Sequence, residues 1–305
     1  MKTILITGSS GFIGSSLLER LLEINNINIV ATYNNKKPSL KFKNRKVEFI
    51  KINLNLKKNF KKLPDNIDYI YHTAGIRDSF LNSKKANRQI FDNFCITQNL
   101  IDFSIKIKCK YFIYLSSVYI YSGSQKKKFI ENQLNTPVES LGLSKYICEI
   151  ALKKTSYDFN FKCIAFRLFT VYGPNSSRNQ FIPSVLKKIY SKKDTIKFGN
   201  PFMKRDFIYI DDVLDVLINS LKKIKKIENF ESFNLGSGRS LSVSHAINKI
   251  LKISKIKKRL VFDKNNTLRI GDINHQGDFK KIATFFDWKP KITFEEGIMK
   301  IINKN

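Results

Sequence analysis

Three glycines spaced three apart, Gly8, Gly11 and Gly14, interrupt the string Thr7-Gly8-Ser9-Ser10-Gly11-Phe12-Ile13-Gly14, directly after the apolar run Lys2–Thr7. The first glycine lets a turn close tightly, the second lets backbone approach a ligand, and the third lets a helix pack closely on a strand. A helix opening inside this string leaves its first N–H groups without intrahelical partners and with a partial positive charge. Gly8, Ser10, Gly11, Phe12, Ile13 and Gly14 therefore form a candidate cradle for the pyrophosphate of a dinucleotide. Sites that prefer NAD carry an acid at the end of the next strand, where it accepts the ribose hydroxyls. Aligning Ile29–Thr32 on that strand puts Tyr33 there, followed by Asn34, Lys36 and Lys37. No carboxylate repels a 2′-phosphate and two lysines attract one, so the expected cofactor is NADP or NAD, with the charge balance on the side of NADP.

The elements that must position this cradle are readable from the apolar pattern. Lys2–Thr7, Ile27–Thr32, Val47–Ile52, Tyr69–His72, Tyr111–Ser116 and Lys162–Phe166 read as strands. Between them Ile13–Glu23, Phe91–Phe103 and Val138–Lys154 read as amphipathic helices. Strands alternating with helices predict a parallel sheet covered by helices on both faces. After Tyr172-Gly173-Pro174 the alternation loosens, with loops expected at Asn175–Gln180, Lys197–Lys204 and Gly236–Ser240. That part is expected to be a smaller, mixed α/β lobe.

Composition excludes several classes. No apolar run approaches the length of a membrane-spanning helix, so no membrane partner is expected. Met1-Lys2-Thr3 leads straight into the first strand without a secretory apolar stretch, and the cytoplasm is the expected location. The 55 basic against 25 acidic residues give a formal charge of +30. Only 10 of the basic residues are Arg, and the lysines are spread along the chain rather than gathered. Nucleic-acid readers favour the bidentate guanidinium, so this excess reads as a solvated surface and no nucleic-acid partner is expected. Cys95, Cys109, Cys148 and Cys163 form no C-x-x-C pair, and His72, His245 and His275 lie far apart, so no metal site is proposed.

The string ILITGSSGFIGSSLLERLL resembles the opening of the extended short-chain dehydrogenase/reductase family, the NAD(P)-dependent sugar-nucleotide epimerases, dehydratases and reductases. Later segments resemble the family in order: Asp68-x-x-x-His72-Thr73-Ala74-Gly75, Asn93-x-x-x-Thr97-x-Asn99-Leu100, Arg167–Pro174 with Thr170 where Asn is usual, Arg205–Val213, Phe233–Gly238, and Trp288-Lys289-Pro290. The resemblance implies a Rossmann-type doubly wound sheet over 1–172. It implies a substrate lobe over 173–305, with part of about 205–240 returning to the first domain. It adds Asn53, Leu54, Thr73, Ala74 and Asn93 to the expected cofactor contacts, with Asn53 where the family usually has Asp. It also implies a nucleoside-diphosphate sugar as substrate, gripped by Phe181, Arg205, Arg269 and Asp272. Family members pair through a four-helix bundle, which implies a homodimer through the Phe91–Phe103 and Val138–Lys154 helices.

The family's chemistry uses a Tyr that moves a proton, a Lys four residues later that lowers its pKa and holds the nicotinamide ribose, and a Ser or Thr that bonds the reacting oxygen. Here the resemblance assigns Lys145 and Ser117 to the last two roles, but the Tyr position is Leu141. The dehydratases carry Asp-Glu where this chain has Val118-Tyr119, which disfavours a 4,6-dehydratase. If the strand stays extended past Ser117, Tyr119 and Tyr121 share its face and are the candidate replacement acids. Packing or a substrate wall is the competing role for both rings. The chain thus reads either as an enzyme with a migrated acid or as a catalytically silent binder of NAD(P) and sugar nucleotide. A nucleic-acid use of the basic surface is the weakest reading.

Overall fold

The computed structural model describes residues 1–38, 47–77, 83–124, 128–263 and 275–304. Seven parallel strands form the main sheet: β1 (Lys2–Thr7), β2 (Ile27–Tyr33), β3 (Val47–Lys51), β4 (Tyr69–His72), β5 (Tyr111–Ser117), β6 (Lys162–Leu168) and, after three strands of the second lobe, β10 (Phe230–Leu235). Their order across the sheet is β10-β6-β5-β4-β1-β2-β3. The chain winds outward from β1 to β3 and then crosses back to β4, which opens a crevice beyond the C-terminal ends of β1 and β4.

Each strand sends alternate side chains to opposite faces. Ile4, Ile6, Tyr69 and Tyr71 join one core cluster with helices α1 (Phe12–Leu21) and α5 (Ile210–Lys223), reached after α2, α3 and α4. Leu5, Ile70, Phe112 and Tyr114 join the opposite cluster with α2 (Ser83–Lys106) and α3 (Ser140–Phe159). The buried phenols find partners on α5: Tyr71 donates to Leu217 O at 2.7 Å and Tyr69 to Leu221 O at 3.2 Å.

The second lobe contains a three-stranded sheet of β7 (Thr170–Tyr172), β9 (Lys204–Tyr209) and β11 (Ser240–Ser242), and a pair made by β8 (Thr195–Phe198) and β12 (Arg259–Phe262). Helices α4 (Phe181–Ile189), α6 (Val243–Ser254), α7 (Lys280–Phe286) and α8 (Phe294–Ile302) complete the chain. The loop expected at Lys197–Lys204 begins inside β8, because Lys197 and Phe198 pair with Val261 and Phe262 of β12. The segment 210–235 packs on the main sheet as α5 and β10, so the chain crosses between the two lobes more than once. Two aspartates of the Arg205–Val213 segment are structural. Asp206 accepts the Ser237 N–H at 2.6 Å, and Asp212 accepts those of Lys291 and Ile292 at 2.9 and 3.1 Å. Among the described residues no helix is long and apolar enough to cross a membrane.

Among the described residues one ion pair is buried in this apolar frame. Arg167 of β6 meets Glu149 of α3 at 2.7 Å, with both side chains about 95% buried (5% and 4% exposed). Removing one partner of such a pair leaves an uncompensated charge out of water. Glu149→Ala is therefore expected to lower the unfolding free energy in urea by ~3–5 kcal/mol. Glu149→Leu combined with Arg167→Met should regain most of it.

Candidate active site

The glycine string lies at the crevice, and its three glycines do different work. Gly8 has φ +67°, and a Cβ there would sit 2.7 Å from Ala74 Cα. A Cβ on Gly14 would sit 2.7 Å from Thr73 Oγ1 and closer still to Gly8 O. Both positions are closed by the protein itself. Gly11 is exposed, and a Cβ there would meet only Gly8 O, at 3.3 Å. As the residue capping α1 it supplies no side-chain hydrogen bond, so the first N–H groups of α1 face outward uncapped. The cradle therefore fits a pyrophosphate: open backbone donors, the positive end of a helix, and no side chain at the approach. Ser9 anchors the loop by donating its hydroxyl to Thr32 O at 2.9 Å, and Ser10 stays exposed.

The far end of the crevice is shaped by β2 and β3. Tyr33 ends β2 half-buried, with Asn34 and Lys36 exposed beyond it. Asn53 is exposed, and its side-chain oxygen accepts the Asn55 N–H at 3.0 Å, which leaves one lone pair for a ligand. Leu54 is buried and its carbonyl accepts from Asn99 at 2.9 Å.

Beneath the crevice runs a chain of buried hydrogen bonds. Thr97 donates to Asn93 O at 2.8 Å, so its oxygen accepts from His72 Nε2 at 3.0 Å. His72 Nδ1 then accepts from Thr7 at 2.9 Å, and the Thr7 oxygen accepts the Ala74 N–H at 3.3 Å. Burial, with the Lys145 charge nearby, pulls His72 down to about 3, so this ring stays neutral. Thr73 donates to Thr7 O at 2.6 Å. Asn93 clamps the following loop, accepting the Ile76 N–H at 2.7 Å and donating to Ile76 O and Ser144 Oγ at 3.0 Å.

Lys145 of α3 reaches into the same corner. Its ammonium donates to Leu115 O at 2.7 Å and lies over the Tyr114 ring at 4.7 Å. Burial pulls its pKa down to about 8. Ser117, two residues beyond Leu115, ends β5 at the crevice, and its oxygen accepts the Tyr119 N–H at 3.3 Å.

The extended strand expected past Ser117 does not form. Residues Val118–Tyr121 make a turn of 3₁₀ helix, so Tyr119 and Tyr121 do not share one face. Tyr121 is fully buried, donates to Asn234 Oδ1 at 2.8 Å, accepts from Arg167 at 2.8 Å and stacks on Phe129. Burial raises its pKa, and its oxygen is committed to this cluster, which overturns its expected role as a replacement acid. Tyr119 is half-buried. Its carbonyl lies against Gly142, where a Cβ would sit under 2.5 Å away. Ser122 adds to the junction by accepting the N–H groups of Val138 and Glu139 at 2.9 and 3.4 Å. These contacts hold residue 119 beside the first turn of α3, which carries Leu141.

At the substrate end, Phe181 opens α4 and packs on Phe207 with ring centroids 5.4 Å apart. Arg205 is half-buried on β9 and donates to Lys204 O at 3.1 Å. Arg269 and Asp272 lie outside the described residues. Sequence reasoning missed His275, which packs edge-on against Tyr119 at 5.2 Å. A lone histidine with no ligand spacing gave no signal for it. Among the described residues no three His, Cys, Asp or Glu side chains converge as a metal site.

Comparison with known proteins agrees with this fold. The model of the NAD dependent epimerase/dehydratase family matches residues 4–236. An uncharacterized protein of Methanocaldococcus jannaschii is 30% identical over 99% of this chain and 95% of its own length. The UDP-glucose 4-epimerase of Thermotoga maritima, solved with UDP-glucose, is 25% identical with a TM-score of 0.86, covering 99% of this chain and 97% of that one. The UDP-glucuronic acid 4-epimerase of Bacillus cereus, solved with UDP-glucuronic acid and NAD, is 26% identical with a TM-score of 0.85, covering 99% and 98%.

Two outcomes follow from the cradle and the lysine. Gly11→Val should abolish dinucleotide binding in calorimetry while leaving the thermal midpoint close to that of the parent protein, whereas Gly14→Val should prevent folding. A folded Gly11→Val protein with full affinity would show that the loop is not the cradle. Lys145 is an ammonium below its pKa of about 8 and an amine above it. Dinucleotide affinity should therefore fall as pH rises through 8, and Lys145→Gln should bind more weakly with that dependence flattened.

Proposed function

The chain belongs to the NAD dependent epimerase/dehydratase family, and we propose that it is an NAD(P)-dependent epimerase or reductase acting on a nucleoside-diphosphate sugar, with Tyr119 as its proton donor in place of Leu141. The observation that carries this reading is that Lys145 reaches the carbonyl of Leu115, two residues before Ser117 at the end of β5, where the turn carrying Tyr119 meets the helix of Leu141. Lys145 also serves cofactor binding, so Ser117 is the residue that a protein only binding its ligands would have no chemical need to keep. UDP-sugars are the substrate class by likeness to the solved epimerases.

In this reading the Ser117 hydroxyl bonds the reacting sugar oxygen, the Tyr119 phenol takes or gives its proton, and Lys145 donates to the nicotinamide ribose. The cradle of Gly8, Ser10, Gly11, Phe12, Ile13 and Gly14 holds the pyrophosphate, and the nicotinamide, when bound, supplies the hydride acceptor. Arg205 pairs with the substrate diphosphate, and Phe181, Arg269 and Asp272 complete the grip by family resemblance. Tyr33, Asn34 and exposed Lys36 at the end of β2 support NADP over NAD. Titrating the apoprotein with both dinucleotides decides it, since tighter binding of NAD would reverse this choice. Phe91 on α2 and Ile150 and Tyr157 on α3 are 67%, 52% and 56% exposed on two helices that pack together, which supports a homodimer through this face. A monomeric mass by light scattering would rule the dimer out.

Leu141 itself favours the second reading, a silent relative that binds NAD(P) and sugar nucleotide as a sensor or partner subunit. Leu141→Tyr separates the two, because it places a phenol one helical turn before Lys145. In a silent protein with an intact site, turnover of a bound sugar nucleotide should appear or rise by part of the ~10²–10⁴-fold that one general acid supplies. In an enzyme using Tyr119, the new ring crowds the site, so activity should fall or stay flat, and Tyr119→Phe should abolish it. Full turnover in Tyr119→Phe would remove Tyr119 from the mechanism.

A further inference from the structure

His275 has no role in the reaction just described, yet its ring touches the proposed proton donor. The imidazole is 2% exposed and meets Tyr119 at 5.2 Å and Phe169 at 6.4 Å, both at 89° between ring planes. Its backbone is tied on both sides: the N–H donates to Lys204 O at 3.1 Å, and the carbonyl accepts from Ser240 Oγ at 2.7 Å. The ring itself is not tied. Among the described residues neither Nδ1 nor Nε2 has a hydrogen-bond partner. Burial, reinforced by the guanidiniums of Arg205 on β9 and Arg77 after β4, holds the ring neutral, well below the usual histidine pKa.

Packing alone does not account for this residue. A phenylalanine would make the same edge-on contacts without burying two unsatisfied nitrogens, each of which costs ~1–3 kcal/mol. A neutral imidazole carries one N–H donor and one acceptor, and the ring with a polar tip that it touches is Tyr119. Hydrogen bonds among catalytic groups are often long in an empty site and tighten when ligand is bound.

We propose that His275 is the positioning residue of Tyr119: with ligand in the cleft, an imidazole N–H donates to the Tyr119 phenol oxygen, which aims the phenol at the sugar. The proposal rests on the reading that Tyr119 is the proton donor. Loss of the imidazole therefore leaves the ring in place by packing but its hydroxyl without a fixed direction.

The test is steady-state turnover of UDP-glucose and UDP-glucuronic acid by the parent protein, His275→Phe and His275→Asn, with UDP affinity measured by calorimetry. In His275→Phe, kcat should fall about tenfold while KM and UDP affinity stay close to those of the parent. His275→Asn keeps an N–H donor and should restore part of kcat. This rescue separates positioning from packing, which Phe preserves better than Asn. An unchanged kcat in both variants would overturn the proposal while leaving the donor assignment intact. Full turnover in Tyr119→Phe, or no turnover by a parent protein that binds UDP, would overturn the donor assignment and the proposal's premise with it. Failure of the parent protein to bind UDP would instead overturn the substrate class.

Discussion

The ion pair between Arg167 and Glu149 is the constraint on which the rest of the site depends. Leu141, Lys145 and Glu149 follow one another at four-residue intervals, so they lie along one face of α3. Glu149 fixes that face to β6 through Arg167, and the register of the helix then delivers Lys145 to the end of β5. The guanidinium also bonds Tyr121 and Glu131 O, and Tyr121 passes the connection to Asn234 of β10. Two strands, the 3₁₀ turn and the helix α3 thus meet at one cluster. A buried pair adds little stability over an apolar pair of the same shape, but its directed bonds favour one arrangement, and here that arrangement holds the proposed catalytic corner.

The same cluster explains why one of two tyrosines is available for chemistry. Val118–Tyr121 turns into 3₁₀ helix where Gly142 lets the turn approach α3 and Ser122 accepts the N–H groups of Val138 and Glu139, just before that helix. The turn sends Tyr121 into the Arg167 cluster and leaves Tyr119 at the cleft. A Cβ at residue 142 would force the two apart.

The charge pattern of the cleft is consistent within itself. Lys145, Arg205 and Arg77 are basic groups near the proposed ligand, while both buried imidazoles, His72 and His275, are held neutral by burial and by those cations. An uncapped helix N-terminus at the glycine loop and basic groups elsewhere in the site suit ligands that carry diphosphates, as a dinucleotide and a sugar nucleotide do. The chain-wide lysine excess is a separate matter, spread over the surface rather than focused in the cleft.

What the sequence determined by itself is what depends on short-range spacing. The glycine string, the strand–helix alternation and the four-residue step to Lys145 each follow from backbone geometry within a few residues, so Gly8–Gly14 and β1 to β6 were legible before any coordinates. Helix ends were less so: α2 runs Ser83–Lys106 where the apolar period marked only Phe91–Phe103, because tertiary packing extends a helix beyond its periodic core. The tertiary structure alone decided the fates of Tyr119, Tyr121 and His275. Alternation along an extended strand treated the two tyrosines as equivalent, and a solitary histidine carried no pattern at all. Their surroundings are set by groups distant in sequence, Arg167 and Asn234 for Tyr121 and Lys204 of β9 with Ser240 of β11 for His275, and contacts of that range leave no local period to read.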